Sequence, residues 1–386
     1  MNNYTTKIFK LMVLLQPLLL YATVFKVMIF VQLISEFILI GSFLQLFLTA
    51  WNNRAANNKS IFSLAIVIML IAFISLYWGG FTYDGFIAYL MFVSMLATWI
   101  VYPHIEINAM NSVMKYSFLL QAMLLIYFSR QSFAYDMHIE DMIATQESLT
   151  LGFNNPNLAS MIIFYVFVGN LIYYKCERRF WAKALYIFLL TTLFYHIVET
   201  DCRTTLLLTA FVVISFFLTN KIRTIGKIMI KKIVPIGTLA FPILFCLVYV
   251  YLSFSPELRD MELFGKPLFS GREVLFVDFY NSFSDSPLIG LCGKYKFANA
   301  HNGMLTILLN TGFVGIFFYI IYIYKNLRNI SNSIINIANV LPLIAIIAVF
   351  IISSSEAAML VAGNLFYVYF LTLLAFVKRE SYNNKF

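Results

Sequence analysis

Three side chains with the chemistry to bind phosphate or accept a proton stand beside apolar runs in the second half of the chain. His301 and Asn302 precede the apolar run of FANAHNGMLTILLNTGFVGI, Arg203 precedes that of ETDCRTTLLL, and Arg272 stands in FSGREVLF. An imidazole accepts a proton near neutral pH, and a guanidinium holds two phosphate oxygens at once. Taken alone, each residue is also compatible with a solvated or ion-paired flank, and Asn302 with a helix cap.

Acidic residues close to the two arginines leave their roles open. Glu273 follows Arg272, while Glu199 and Asp201 precede Arg203. Each arginine therefore has an ion-pair partner within reach along the chain. Glu199 and Asp201 are a weak signal for a divalent cation, because such ions need further oxygen ligands that the pattern does not supply. We expect no metal ion at these positions.

The composition of the chain indicates whether it folds in water or in a membrane. The 386 residues are 61% hydrophobic and 12% charged, with a mean hydropathy of +0.83. Apolar runs of this length are typical of membrane spans. We expect one integral membrane domain over residues 1–386, folded as an all-α polytopic bundle. Its transmembrane helices, about 12 in number, are predicted at roughly 9–25, 27–50, 60–79, 85–102, 113–129, 156–174, 183–198, 204–219, 233–253, 303–324, 336–354 and 357–377.

The distribution of Lys and Arg among the loops predicts the orientation. The net charge is +9, and basic residues recur in alternate loops, as at Arg54, Lys115, Lys325 and in the KIRTIGKIMIKK stretch. Because cytoplasmic loops are enriched in Lys and Arg, we expect both termini in the cytoplasm. The large loop 254–301, between helices nine and ten, then lies outside. Basic inner loops suit anionic lipid headgroups, and the pattern does not favour nucleic-acid binding.

The sequence does not define the role of Glu36, nor whether Cys202 and Cys292 are paired. Glu36 in ISEF is the one acid deep within a predicted span, where it costs about 2.5–3.5 kcal/mol unless it is paired or protonated. We expect its side chain to face the protein interior, in a role that the sequence does not define. Cys202 and Cys292 share the predicted outer face, and their spacing does not decide whether they form a disulfide.

Four polar stretches beside apolar runs are LTLGFNNPNLAS, ETDCRTTLLLTAF, FSGREVLF and HNGMLTILLNTGFVGI, and together they span about residues 145–325. Their order and spacings resemble those of the O-antigen ligase and repeat-unit polymerase (Wzy) superfamily of bacterial envelope glycosyltransferases. Cys202 departs from the Ser that usually precedes the Arg in that family. The positions matching the family pattern are Gly152, Phe153, Asn155, Pro156, Asn157, Arg203, Gly271, Arg272, His301, Asn302, Gly312 and Gly315.

This resemblance implies a function and a set of roles. It implies a bundle of the GT-C type in the bacterial cytoplasmic membrane, acting on undecaprenyl-diphosphate-linked oligosaccharides at the outer face. His301 would take the proton of the acceptor hydroxyl, and Arg203 and Arg272 would neutralise the diphosphate leaving group. Asn302, Asn157 and Glu273 would have supporting roles. The resemblance implies no metal or other cofactor, with a flippase and a chain-length regulator as possible partner proteins.

The acceptor distinguishes three functional hypotheses. A polymerase uses a second lipid-linked repeat unit to build O-antigen or capsular polysaccharide, and we favour it because the match to the ligase pattern is loose. A ligase transfers the glycan to lipid A-core or to a protein. A non-catalytic flippase or exporter is the remaining alternative, although transporters typically show two related halves, and this sequence shows no visible repeat.

Overall fold

A computed structural model describes residues 2–52, 59–129, 134–139, 142–151, 153, 155–218, 229–253, 302–334, 340–356 and 364–382, with residues 255, 258, 261–263, 266–267, 279 and 281–291 of the large loop. The first helices are α1 (Asn2–Val24), α2 (Met28–Asn52), α3 (Lys59–Trp78), α4 (Tyr83–Val101), α5 (Ile107–Ser129) and α6 (Pro156–Cys176). They are followed by α7 (Phe180–Glu199), α8 (Arg203–Leu218), α9 (Val234–Ser253), α10 (Gly303–Ser333), α11 (Leu341–Ile352) and α12 (Asn364–Tyr382).

The helices have the lengths and composition of membrane spans. Nine helices of the described chain, α1 to α7, α9 and α10, are long and apolar enough to cross a membrane. The helices α8, α11 and α12 contain shorter apolar segments of 10–17 residues. The protein is therefore an all-α bundle with the architecture of a polytopic membrane protein, as its composition predicts. That all twelve helices span the membrane stays a prediction.

Two antiparallel hairpins accompany the helices and were not predicted. Strand β1 (Ala134–Ile139) pairs with β2 (Met142–Leu149) in a segment expected to be an external loop between α5 and α6. Strand β3 (Glu262–Leu263) pairs with β4 (Lys266–Pro267) in the large loop. In YDMHIEDMIATQE the alternation of apolar and polar residues that is typical of a β-hairpin is weak, because acidic residues interrupt it.

Helix boundaries fall where the backbone turns sharply. Lys26, with φ of 53°, separates α1 from α2, and Asp201, with φ of 58°, separates α7 from α8. The start of α6 combines an Asn155 cap with Pro156 at the first helical position, where the missing N–H of proline leaves no bond unmade. The first turns of α6 and α8 lie close together, because Ser160 Oγ donates to Thr205 Oγ1 at 3.0 Å.

Helix α6 is largely buried, and it packs against α5, α7 and α12. In the α6 span 83% of the residues are buried. Buried polar side chains join neighbouring helices: Tyr367 Oη donates to Gln45 Oε1 at 2.6 Å, and Tyr369 Oη donates to Gln121 Oε1. Because lipid tails are as apolar as leucine, such interhelical hydrogen bonds and close packing hold membrane helices together.

Basic residues gather at one end of the bundle. Lys115 Nζ lies 2.9 Å from Glu177 Oε2 just beyond the last residue of α6, and Lys325 Nζ donates to Ser60 Oγ at 2.8 Å. The hydrogen bond from Lys115 and the backbone N–H groups of Arg179 and Arg178 lower the pKa of Glu177 to about 2. This end lies opposite the first residues of α6 and α10, as the alternation of basic loops requires. Which end faces the cytoplasm stays a prediction.

The expectation that Glu36 faces the interior is wrong. Glu36 is exposed on the outside of α2, where its Oε1 accepts a hydrogen bond from Gln32 Nε2 at 2.9 Å. The expectation assumed that the carboxylate must be satisfied within its own chain. In the structure α2 lies at the periphery, with only 22% of its span buried, so its exposed face remains outside the bundle.

Helix α10 is broken at Gly312, which has φ of 65° and ψ of −173°. A segment of the large loop, residues 281–291, packs against this break. Leu291 N–H donates to Leu309 O at 3.0 Å, and Phe313 N–H donates to Pro287 O at 2.8 Å. The contact lies about 10–15 Å along the helix axis from its first residue. Part of the loop predicted to lie outside therefore reaches well along α10 and satisfies the backbone groups that the break frees.

Replacing Gly312 with Ala tests this arrangement. A Cβ at Gly312 would lie 2.2 Å from Leu288 O, in a backbone conformation almost confined to glycine. We expect a loss of stability of at least about 1–3 kcal/mol, measured by thermal unfolding in detergent. Gly237→Ala is the matched control, because a Cβ there meets only Ile233 Cγ2, at 3.9 Å. Equal stability of the two variants would contradict the packing of 281–291 against the break.

Candidate functional site

Four chain segments from distant parts of the sequence meet at the end of the bundle opposite the basic residues. They are the first residues of α6, α8 and α10, and the Ser353–Glu356 segment that follows α11. Side-chain hydrogen bonds connect the segment after α11 to each of the three helix starts, so we call this set the polar end cluster. It comprises Asn157, Ser160, Cys202, Arg203, Thr204, Thr205, Asn302, Ser353, Ser354, Ser355 and Glu356.

Asn302 fixes the start of α10 within this cluster. Its Oδ1 accepts a hydrogen bond from Leu305 N–H at 3.0 Å, which is the expected N-cap. Its Nδ2 lies within hydrogen-bonding distance of Pro242 O at 3.1 Å, Cys246 Sγ at 2.8 Å and Ser354 O at 2.8 Å. The side chain is fully buried, so one amide joins α10 to both α9 and α11.

A second backbone contact strengthens the same junction. Gly303 N–H donates to Ser353 O at 2.7 Å. The first N–H groups of a helix have no partner within it, and here one of them finds an acceptor beyond the end of α11. The start of α10 is therefore held by both its backbone and its cap.

Glu356 contributes a buried carboxylate. It is 5% exposed, and its Oε1 accepts a hydrogen bond from Asn157 Nδ2 at 2.6 Å. Asn157 lies in the first turn of α6, where its backbone N–H bonds the Oδ1 of the Asn155 cap at 2.8 Å. The cap fixes the backbone of Asn157, and Asn157 in turn holds Glu356. The site thus contains a carboxylate and an amide in direct contact.

Arg203 is the first residue of α8 and is half-buried. The two residues that follow it anchor the helix start: Ser355 Oγ donates to Thr204 Oγ1 at 3.1 Å, and Ser160 Oγ donates to Thr205 Oγ1 at 3.0 Å. These bonds bring the arginine to the same cluster as Glu356. Three helix N-termini also point into the cluster, and each carries partial positive charge that favours an anion.

Cys202 stands at the position where the family pattern usually has Ser. It is a buried free cysteine whose Sγ lies 3.3 Å from Thr205 Oγ1. The thiol therefore contacts the first turn of α8. Cys292, which shares the predicted outer face with Cys202, lies outside the described residues.

Three of the predicted site residues lie outside the part of the chain that the structure describes. His301, Arg272 and Glu273 lie outside the described residues, as do Gly152 and Gly271 of the motifs. The structure therefore brings together Asn157, Arg203 and Asn302, three of the six predicted site residues. The roles assigned to His301, Arg272 and Glu273 stay predictions.

Glu199 and Asp201, the two acidic residues that precede Arg203 in the sequence, lie in different surroundings from Glu356. Glu199 Oε2 lies 2.9 Å from His196 Nδ1, a pair formed within the last turn of α7. Asp201 occupies the sharp turn before α8. Glu199 thus has a partner on its own helix.

Sequence reasoning missed Glu356 and the three serines before it. The signal was present, because SSSE directly follows the apolar run of α11 and falls on the predicted outer side. Without the fold, a polar run after a span is the expected composition of any loop. Only the return of α11 to the starts of α6, α8 and α10 makes these residues part of a site.

Comparison of the chain with protein-family models and with curated protein sequences finds no match. The resemblance in the motifs therefore stays a prediction, and the site is argued from its geometry.

Substitutions of Asn302 and Asn155 test whether the amide of Asn302 does more than cap a helix. Asn302→Asp keeps the acceptor for Leu305 N–H but places an oxygen against Pro242 O and Ser354 O. We expect a loss of stability greater than the roughly 1–3 kcal/mol of an ordinary unsatisfied polar group. Asn155→Asp is the matched control, since aspartate caps a helix as well as asparagine does.

Thermal unfolding in detergent, followed by intrinsic fluorescence, measures both variants. The Asn155→Asp control should unfold within a few degrees of the wild type. If Asn302→Asp were as stable as Asn155→Asp, the role of Asn302 would reduce to capping.

Proposed function

We propose that this protein is a metal-independent glycosyltransferase that polymerises undecaprenyl-diphosphate-linked oligosaccharide repeat units into O-antigen or capsular polysaccharide. The observation that carries the proposal is the convergence of Asn157, Arg203 and Asn302. These residues belong to three separate motifs, yet the end of α11 joins all three in one polar cluster. Convergence of distant motif residues supports a shared chemical role.

The cationic part of the site binds the diphosphate of the donor. Arg203 and Arg272 neutralise the charge that develops as the diphosphate leaves, and the starts of α6, α8 and α10 add partial positive charge. A guanidinium suits this role because its planar fork holds two oxygens. Arg203 is well placed, since Thr204 and Thr205 fix its backbone.

The acceptor side of the reaction requires a base. The acceptor hydroxyl oxygen forms a bond to the anomeric carbon, while the bond from that carbon to the diphosphate oxygen breaks with its electron pair. His301 takes the hydroxyl proton. His301 directly precedes Asn302 in the sequence, and the side chain of Asn302 is held by α9 and by the segment after α11.

Glu356 and Asn157 supply an acceptor and a donor for sugar hydroxyl groups. A hydroxyl both donates and accepts, so a carboxylate beside an amide matches it. Glu273 has a supporting role at Arg272.

The proposal includes the membrane setting. The bundle is of the GT-C type and lies in the bacterial cytoplasmic membrane with both termini in the cytoplasm. The polar end cluster then faces outward, at the level where the diphosphate of a lipid-linked glycan lies. A flippase supplies the substrate and a chain-length regulator acts on the product. A divalent metal or nucleotide is not needed, because the leaving group is already activated and arginines supply the positive charge.

One assay with purified protein, membrane lipids and lipid-linked repeat units tests the proposal. His301→Gln keeps the size and hydrogen bonding of the side chain but not its basicity, and should lower the polymerisation rate by about 10²–10⁴-fold. Arg203→Lys and Arg272→Lys keep charge but lose the planar fork, and each should lower the rate by about 10²-fold. Arg178→Lys, at an exposed arginine at the opposite end of the bundle, is the matched control and should polymerise normally.

The products discriminate among the hypotheses. Wild-type-length polymer from the His301→Gln and Arg203→Lys variants would contradict the assigned roles. Transfer of single glycans to lipid A-core without polymer would identify a ligase. Movement of the lipid-linked glycan across the membrane without bond formation would identify a flippase.

A further inference from the structure

One face of α2 is exposed along most of its length. Ile29, Leu33 and Ile40 are 73%, 56% and 67% exposed. With 100° between successive residues, these positions and those of Gln32 and Glu36 fall on one side of the helix. We call Ile29, Gln32, Leu33, Glu36 and Ile40 the α2 stripe.

The α2 stripe contains a carboxylate within an apolar span. Glu36 is the ninth residue of α2, so it lies about 12 Å along the axis from Met28 and about 24 Å from Asn52. The span Met28–Trp51 is otherwise apolar enough to cross a membrane. An ionisable side chain at this depth is costly when it faces lipid, and such residues normally face a protein partner or an aqueous cavity.

Among the described residues, Glu36 accepts a hydrogen bond from an amide but forms no ion pair with a Lys or Arg. Gln32 Nε2 donates to Glu36 Oε1 at 2.9 Å, whereas the ion pairs among the described residues join Lys115 to Glu177 and His196 to Glu199. Lys26, in the turn before α2, is ten residues from Glu36 along the chain. One carboxylate oxygen is thus held in place by an amide, and none of the ion pairs among the described residues includes Glu36.

A second copy of the chain does not meet this need. A two-fold axis perpendicular to the membrane would place two Glu36 side chains at the same depth, and like charges in a low dielectric repel. Among the exposed basic residues described, Lys26 and Lys59 lie at helix ends. Lys10 lies within α1, about 21 Å along that helix from the turn that joins it to α2, whereas Glu36 lies about 12 Å from the same turn. A different protein with a Lys or Arg at the depth of Glu36 therefore fits this face better than a second copy of the chain does.

We propose that the α2 stripe binds a transmembrane helix of a different protein, which presents a Lys or Arg side chain to Glu36. The apolar residues pack along the partner helix, and Gln32 holds the carboxylate in the orientation that meets the cation. The proposal does not depend on the enzymatic activity of the chain.

A synthetic probe helix tests the proposal with the full chain. The probe is a single Leu/Ala span with one Arg at the depth of Glu36, compared with the same helix carrying Leu there. Energy transfer between labelled probe and labelled protein is measured in vesicles of phosphatidylethanolamine and phosphatidylglycerol. Because interhelical polar contacts in membranes contribute about 1–2 kcal/mol, we expect the Arg probe to associate about tenfold more strongly than the Leu probe.

Variants of the full chain assign the effect to Glu36. Glu36→Gln removes the charge and Glu36→Leu removes the polar group, and both should abolish the preference for Arg. Since Glu36 is exposed, both variants should remain folded, which size-exclusion chromatography verifies. Asp84→Asn, at an exposed acid in the first turn of α4, is the matched control and should keep the preference.

Two outcomes would overturn the proposal. One is equal association of the Arg and Leu probes with the wild-type chain. The other is energy transfer between two labelled copies of the chain that disappears in the Glu36→Gln variant, since this would assign the stripe to self-association.

Discussion

The carboxamide of Asn302 joins three helices in a setting where the hydrophobic effect does not hold helices together. Its contacts with Pro242, Cys246 and Ser354 fix the start of α10 against α9 and α11. The residues after α11 in turn reach the starts of α6 and α8. The geometry of the polar end cluster therefore depends on this buried amide, which supplies the described side-chain hydrogen bonds from the start of α10 to α9 and to the segment after α11.

The need to satisfy buried backbone polar groups explains why a segment of the large loop packs against the break in α10. A break such as that at Gly312 frees N–H and C=O groups that lipid does not satisfy. Residues 287–291 of the large loop supply those hydrogen bonds, which is possible only because Gly312 and Gly290 allow the two backbones to approach closely. The same loop ends at His301 and Asn302. The described part of this loop is therefore attached to α10 at 309–313.

Apolar runs predict the helices of this protein well, and polar residues within them predict less. The breaks at Lys26 and Asp201, the cap at Asn302 and the start of α6 follow from local chemistry. The positions of Glu36 and Glu356 do not, because each depends on which helices are neighbours. Glu36 faces outward since α2 is peripheral, and Glu356 enters the site since α11 ends beside α6. Hydropathy does not indicate that α2 lies at the periphery or that α11 ends beside α6.

If the proposed function is right, a polyprenyl diphosphate binds at the polar end cluster. A photoreactive polyprenyl diphosphate, with its diazirine next to the diphosphate, tests this directly in lipid nanodiscs when the labelled residues are identified by mass spectrometry. We expect competable labelling within a few residues of Asn157, Arg203 or Asn302. Competable labelling concentrated around Lys115 and Glu177, at the opposite end of the bundle, would contradict it.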